Sequence, residues 1–186
     1  MSQKRPTYQR TFSGLIGAMV ICLVVVLGYV AFRAVNRDDL EVRPEPIAYL
    51  AATAFAQESG TDVLYPAELP AGWQVTSLVD SPGDRPTWGM GMLTDNDAFA
   101  GFTWADKDRS QVLREVLDDE FEADEPDRTV EVETDLATQG WELWSEGRNL
   151  ALTTELGDRV LVVHGSAGEA RLVQLAEQLT DAPLAQ

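Results

Sequence analysis

The sequence predicts an α+β protein: an N-terminal transmembrane helix followed by a mostly antiparallel sheet with helices packed on it. Three observations carry this reading. A long apolar run, GLIGAMVICLVVVLGYVAF, lies within a stretch (11–32) that holds no charged residue. Beyond it, short segments rich in β-branched and aromatic residues are separated by Gly, Asn and Asp turn signals. Between and after those segments, apolar residues recur at helical spacing. The predicted organisation is a basic cytoplasmic tail (1–10), a transmembrane helix (11–33), a charged, proline-containing linker (34–46), an extracytoplasmic α+β domain (47–182) and a short tail (183–186).

At 1.5 Å per residue the charge-free stretch reaches about 33 Å, enough for a hydrocarbon core of about 30 Å. No polar face interrupts it, as one would in a helix buried in a soluble core. Ala54-Phe55-Ala56-Gln57 looks like a signal-peptidase site but lies too far beyond the apolar run, so a retained anchor is expected. Lys4, Arg5 and Arg10 before the run balance Arg33, Arg37 and Arg43 after it, so the basic count alone does not set the orientation. The short tail favours an N-terminus inside and a C-terminal domain outside, which makes the chain a single-pass protein of the cell membrane.

Charge is divided as sharply as hydropathy. All 31 acidic residues and only 9 of the 14 basic ones lie from Asp38 onward, a net of −22 there against +5 before it. Such a domain repels nucleic acid and anionic lipid head groups. The one cysteine, Cys22, lies in the apolar run, so packing alone must hold the domain.

In chain order, DDLEVRPEP reads as an extended linker. In IAYLAATAFAQESG, Ile47, Leu50, Ala51, Ala54 and Phe55 form one apolar stripe on a short helix ended by Gly60; docking of that stripe on its own domain is expected over docking on a partner. In TDVLYPAELPAGWQVTSLVD, Val63 to Tyr65 are followed by two prolines that force an irregular path, and then by a strand with Trp73, Val75 and Ser77 facing one way and Gln74, Thr76 and Leu78 the other. PTWGMGMLTDNDAFAGFTWAD reads as a hairpin. A two-residue turn at Asp95-Asn96 would set Met90 opposite Gly101 and Phe102 opposite Gly89, leaving both faces apolar, as suits a central hairpin covered on both sides. Ser110 is a credible N-cap for a helix burying Val112, Leu113, Val116 and Leu117. DDEFEADEPD lacks the pattern and turn glycine of a calcium loop and reads as a solvated acidic loop. Strands are expected in TVEVETD, WELWSEG, NLALTTEL and DRVLVVHG, and the final helix GEARLVQLAEQL places Leu172, Leu175, Ala176 and Leu179 on one face.

No catalytic, cofactor or metal site emerges. The single histidine, His164, stands two residues before Ser166, but no third group that would orient it is identifiable. One histidine and no cysteine in the domain leave zinc without a ligand set, and no glycine-rich phosphate motif is present. The five tryptophans are the remaining signal. Trp141 and Trp144 are three apart, so on a strand they face opposite ways, and both are core only if both faces are covered; one of them is a candidate surface aromatic. Trp104, at the outer end of the hairpin beside Asp106, is a candidate ligand or partner contact.

RTFSGLIGAMV, VLYPAELPAGW, WGMGMLT with AFAGF, GWELWSEG, and VLVVHGSA with the final LAEQL together resemble DUF4245, a family of actinobacterial single-pass membrane proteins of unknown function. The resemblance implies a cell-envelope location and a topology similar to the PsbP/Mog1 type of α+β sandwich. It implies no activity. Asp95-Asn96-Asp97 replaces the family's usual Pro-Asp-Gly type of turn, and His164 stands where a small hydroxyl residue is more usual. The expected function is a membrane-anchored, non-enzymatic envelope protein that binds a protein or envelope component. The alternatives are a small-ligand or glycan-binding domain using surface tryptophans and, least favoured, an envelope hydrolase.

Overall fold

The structure, a computed structural model, describes residues 45–136, 138 and 140–184, together with 19, 22, 23 and 25–29. The chain divides into two units, Met1–Arg43 and Pro44–Gln186. In the first, the described residues are helical and exposed, with Leu23 and Val25 above 60%. The rest of the predicted spanning segment 11–33, the tail 1–10 and the linker as far as residue 44 lie outside the described residues. Among the described residues no helix is long and apolar enough to cross a membrane.

The second unit is α+β and its sheet is antiparallel throughout. Helix α1 (Tyr49–Glu58) leads to a short β1 (Tyr65–Pro66) and then β2 (Gln74–Ser81), β3 (Thr87–Leu93) and β4 (Phe99–Ala105). Helix α2 (Arg109–Val116) precedes β5 (Arg128–Val130), β6 (Trp141–Glu146), β7 (Asn149–Leu156) and β8 (Arg159–Gly165); α3 (Glu169–Gln178) and β9 (Leu179–Thr180) close the described chain. The seven-stranded sheet has the order β2-β3-β4-β8-β7-β6-β5, while β1 and β9 pair separately. It is two meanders, β2–β4 and β5–β8, joined along β4 and β8. Each meander is local, with β6–β7 and β7–β8 joined by tight turns, which is why those strands are readable from the sequence. Strand β5 is only Arg128–Val130, shorter than the strand expected over TVEVETD, and the connection 131–140 to β6 is long. The β4–β8 seam and the β1–β9 pair join residues far apart in the chain and leave no such local signal.

Both faces of the sheet carry apolar side chains. One holds the larger core, including Trp88, Met90, Phe102, Trp141, Leu152 and Leu161, closed by Leu172, Leu175 and Ala176 of α3. The other, smaller core gathers Ala105, Trp144, Ala151 and Val162 beneath Val112 and Leu113 of α2. Two covered faces explain the near-continuous burial of β7 and β8, which alternation alone does not produce.

Four expectations are corrected. The hairpin turn has three residues, not two: Thr94 N donates to Ala98 O at 2.9 Å, and Asp97 takes φ 59°. That is the geometry of a three-residue loop closed by a left-handed position, to which Asp is among the better-suited non-glycine residues. One extra residue slips the register by one and turns β4 over relative to β3. Met90 therefore faces Phe102 and Gly91 faces Gly101. Large residues meet on the core face, and glycines meet on the other. There the glycines make room for the ring of Phe99: a Cβ on Gly91 or Gly101 would lie 3.0 or 3.1 Å from it. Phe99 itself is 37% exposed, so this part of the second face is roofed by its own hairpin and remains half open.

In β2 the register shifts between Val75 and Ser77, so the alternation expected across 73–78 breaks. Val75 is buried and Leu78 packs on the core, while Ser77 is exposed. Helix α2 begins at Arg109 after Asp108, not after Ser110, and no side chain caps it.

Helix α1 is the largest departure. Its buried residues are Thr53 and Ala56, with Tyr49 packed beside them. Leu50 and Phe55 are 44% and 72% exposed. The helix docks by a Tyr-Thr-Ala face and turns most of its predicted apolar stripe to solvent. Three tethers fix this orientation: Ile47 N to Val75 O at 2.8 Å, Tyr49 OH to Pro66 O at 3.1 Å and Gln57 Nε2 to Ala182 O at 3.1 Å. Thr53 Oγ1 is buried without a hydrogen-bond partner, which costs about 1–3 kcal/mol.

Candidate functional site

Four of the five tryptophans are core residues. Trp73, Trp88, Trp141 and Trp144 are 2–9% exposed. Trp141 and Trp144 do face opposite ways, but the sheet is covered on both sides, so neither is a surface aromatic and that expectation is corrected. Trp144 donates through Nε1 to Thr153 Oγ1 at 2.9 Å, and Phe121 meets its ring edge-on at 6.2 Å. Phe121 thereby fastens the acidic loop 118–127 to the sheet while its carboxylates face solvent.

Trp104 is the exception. It is half-buried on β4 and lines an open pocket of about 670 Å³ at one end of the sheet. The walls come from three places in the chain. Gln57 and Asp62 lie at and beyond the end of α1, Asp158 and Arg159 enter from the β7–β8 turn, and Asp181 follows β9. The turn is tight because Gly157 takes φ 68°, which brings Asp158 and Arg159 back toward β4. The strap beyond β9 is held by Tyr65 OH and Gln57 Nε2, which both donate to Ala182 O, at 3.0 and 3.1 Å.

Within the pocket the Arg159 guanidinium lies 4.4 Å from the Trp104 ring centroid. It reaches Asp62 at 3.9 Å, and the indole Nε1 of Trp104 donates to Leu156 O at 3.4 Å. One ring face is therefore occupied by a cation, an attraction worth about 0.5–1 kcal/mol at a site with this exposure. Asp158 and Asp181 have no ion-pair partner among the described residues. The pocket thus offers an aromatic edge, one cation and two carboxylates without an ion-pair partner among the described residues. Sequence reasoning found Trp104 but missed Arg159, Asp62 and Asp181, since they reach it through the β4–β8 seam and the chain ends.

His164 sits inside β8 opposite Gly101, with Phe99 5.6 Å away. Burial holds its imidazole neutral, with its pKa lowered to about 4. Ser166 Oγ accepts from Phe99 N at 3.4 Å, and no hydrogen bond joins the hydroxyl to His164 among the described residues. Both residues serve the seam between Phe99 and β8. Among the described residues no three His, Cys, Asp or Glu side chains are placed to hold a metal.

Fold and site together define a small α+β domain: an antiparallel sheet with helices on both faces and a mixed-charge pocket at one end. The chain belongs to the family described as protein of unknown function (DUF4245), whose model matches residues 8–179. No curated protein matches it.

Proposed function

We propose that the chain is a membrane-anchored extracytoplasmic domain that binds a protein or another envelope component without catalysing a reaction. The run 11–33 anchors it, with the N-terminus inside. The observation that carries the binding role is the Trp104 pocket, where Asp158 and Asp181, without an ion-pair partner among the described residues, stand beside an aromatic edge. Such a rim attracts a basic side chain or an amine and repels anionic polymers. His164, the only imidazole, is engaged in packing against Phe99, which supports binding over acid–base chemistry.

A photo-crosslinking residue at Asp158 in intact cells tests this reading. A discrete envelope partner captured there, and lost when Trp104 and Arg159 are both replaced by Ala, is the expected result. Capture no different from that at Asp124 on the acidic loop contradicts it. Protease added to the same cells should remove the domain, and full protection contradicts the orientation.

A second reading, a small ligand or glycan at Trp104, draws on the polar rim of the same pocket. It ranks behind because Arg159 occupies a ring face on which a sugar would stack. A shift of tryptophan emission on titration with cell-wall fragments, absent in Trp104→Phe, would favour it.

A further inference from the structure

The outward stripe of α1 carries Phe55, the most exposed large apolar side chain among the described residues of the domain, and neither the cores nor the Trp104 pocket absorbs it. Leu50 and Phe55 are exposed, with Ala51 and Ala54 between them. Residues 46–57 carry no charge at all, within a region whose net charge is −22. Beside the stripe runs a shallow apolar groove of about 670 Å³, lined by Ile47, Leu50, Ala51, Leu69, Trp73 and Val75.

We infer that this face lies against the surface of the bilayer in which the chain is anchored, with Leu50 and Phe55 entering the head-group region. The inference rests on the anchoring proposed above. Its first support is the position of the patch in the chain. The described domain begins at Glu45 and the patch begins two residues later. The segment 34–46 that separates it from the charge-free run spans at most about 45 Å when fully extended. A short tether of this kind holds the patch at high effective concentration near the membrane, so an apolar face too small to bind alone is sufficient.

Charge supplies the second support. A domain this acidic is repelled from anionic head groups everywhere except where it carries no charge, and α1 presents such a surface. Size argues against a second copy of the chain as the occupant. A helix of 10 residues is about 15 Å long and offers a footprint of roughly 150 Å². A stable dimer needs about 800 Å² from each partner.

The test uses the full chain reconstituted in phosphatidylcholine vesicles, with Cys22 replaced by Ser and a polarity-sensitive fluorophore on Phe55→Cys or, as control, Glu125→Cys. Blue-shifted emission at position 55, quenched severalfold by spin-labelled lipid, with neither effect at position 125, is expected. Leu50→Asp should abolish both effects at position 55 while leaving the circular dichroism of the chain unchanged. A chain that washes from the vesicles at high pH overturns the anchoring and this inference with it. A chain that stays with the bilayer while position 55 is unquenched overturns this inference alone. Emission that is blue-shifted, indifferent to the labelled lipid and lost on dilution with excess vesicles identifies a second copy as the occupant and likewise overturns it.

Discussion

Helices α1 and α3 have the same length, 10 residues, and both carry an apolar stripe in their sequences, yet they use it in opposite ways. In α3 the stripe is the docking face: Leu172, Leu175 and Ala176 are fully buried. In α1 the stripe points outward, while a buried threonine hydroxyl goes unpaired beneath it. Periodicity identifies a helix and its apolar face, but not what that face meets. For α3 the domain's own sheet supplies the cover. For α1 the flanking hydrogen bonds at Ile47, Tyr49 and Gln57 set the rotation, and the sheet leaves most of the stripe uncovered.

The contrast breaks most sharply under truncation of the two stripes. Leu175→Ala leaves a void in the larger core and should destabilise the chain by about 2–5 kcal/mol in urea unfolding followed by circular dichroism. Leu50→Ala should change it by no more than about 0.5 kcal/mol. Equal losses at the two positions would mean that α1 is packed like α3.

Acid comes next. Unfolded, His164 takes up its proton below about pH 6.5, whereas in the folded chain it resists protonation down to about 4. Between those values the unfolded state binds more protons, so stability present above pH 6.5 is lost as pH falls, by as much as about 3 kcal/mol. Lys107 and Glu115, paired with each other at 2.8 Å, line a pocket together with His164 and Phe99. His164→Gln should remove this part of the slope in unfolding free energy measured from pH 7 to 4. An unchanged slope would show that the imidazole is solvated.

Two smaller effects sharpen the comparison. Arg159→Ala removes the cation over Trp104 and should cost about 1 kcal/mol or less. Thr53→Val, which replaces the unpaired hydroxyl beneath α1 with a methyl group of similar shape, should leave stability unchanged or raise it by about 1 kcal/mol.

Much of this fold is legible in the sequence, and the reasons for the remainder are physical. Most of the strands, the antiparallel pairing and the buried face of α3 follow from local periodicity and turn residues; the strand expected in TVEVETD stops at Val130 despite its alternation. The hairpin register does not, because Asp97 adopts a left-handed conformation that Asp reaches without advertising it as Gly would. One residue of turn length then decides which side of β4 meets the core. The burial of both Trp141 and Trp144 depends on α2 covering the second face, a tertiary fact that the spacing of the two rings leaves open. At the Trp104 pocket only the aromatic was visible, since its charged neighbours are brought in by the β7–β8 turn and the strap beyond β9.

The rotation of α1 is the point on which the account turns, and thiol accessibility tests it directly. The part of the chain from Pro44 onward contains no cysteine, so single Phe55→Cys and Thr53→Cys variants of it can be labelled with maleimide before and after unfolding in urea. The thiol at position 55 is expected to react in the folded chain about as fast as in the unfolded one, and the thiol at position 53 to react only on unfolding. Protection at position 55 with rapid reaction at position 53 would contradict it.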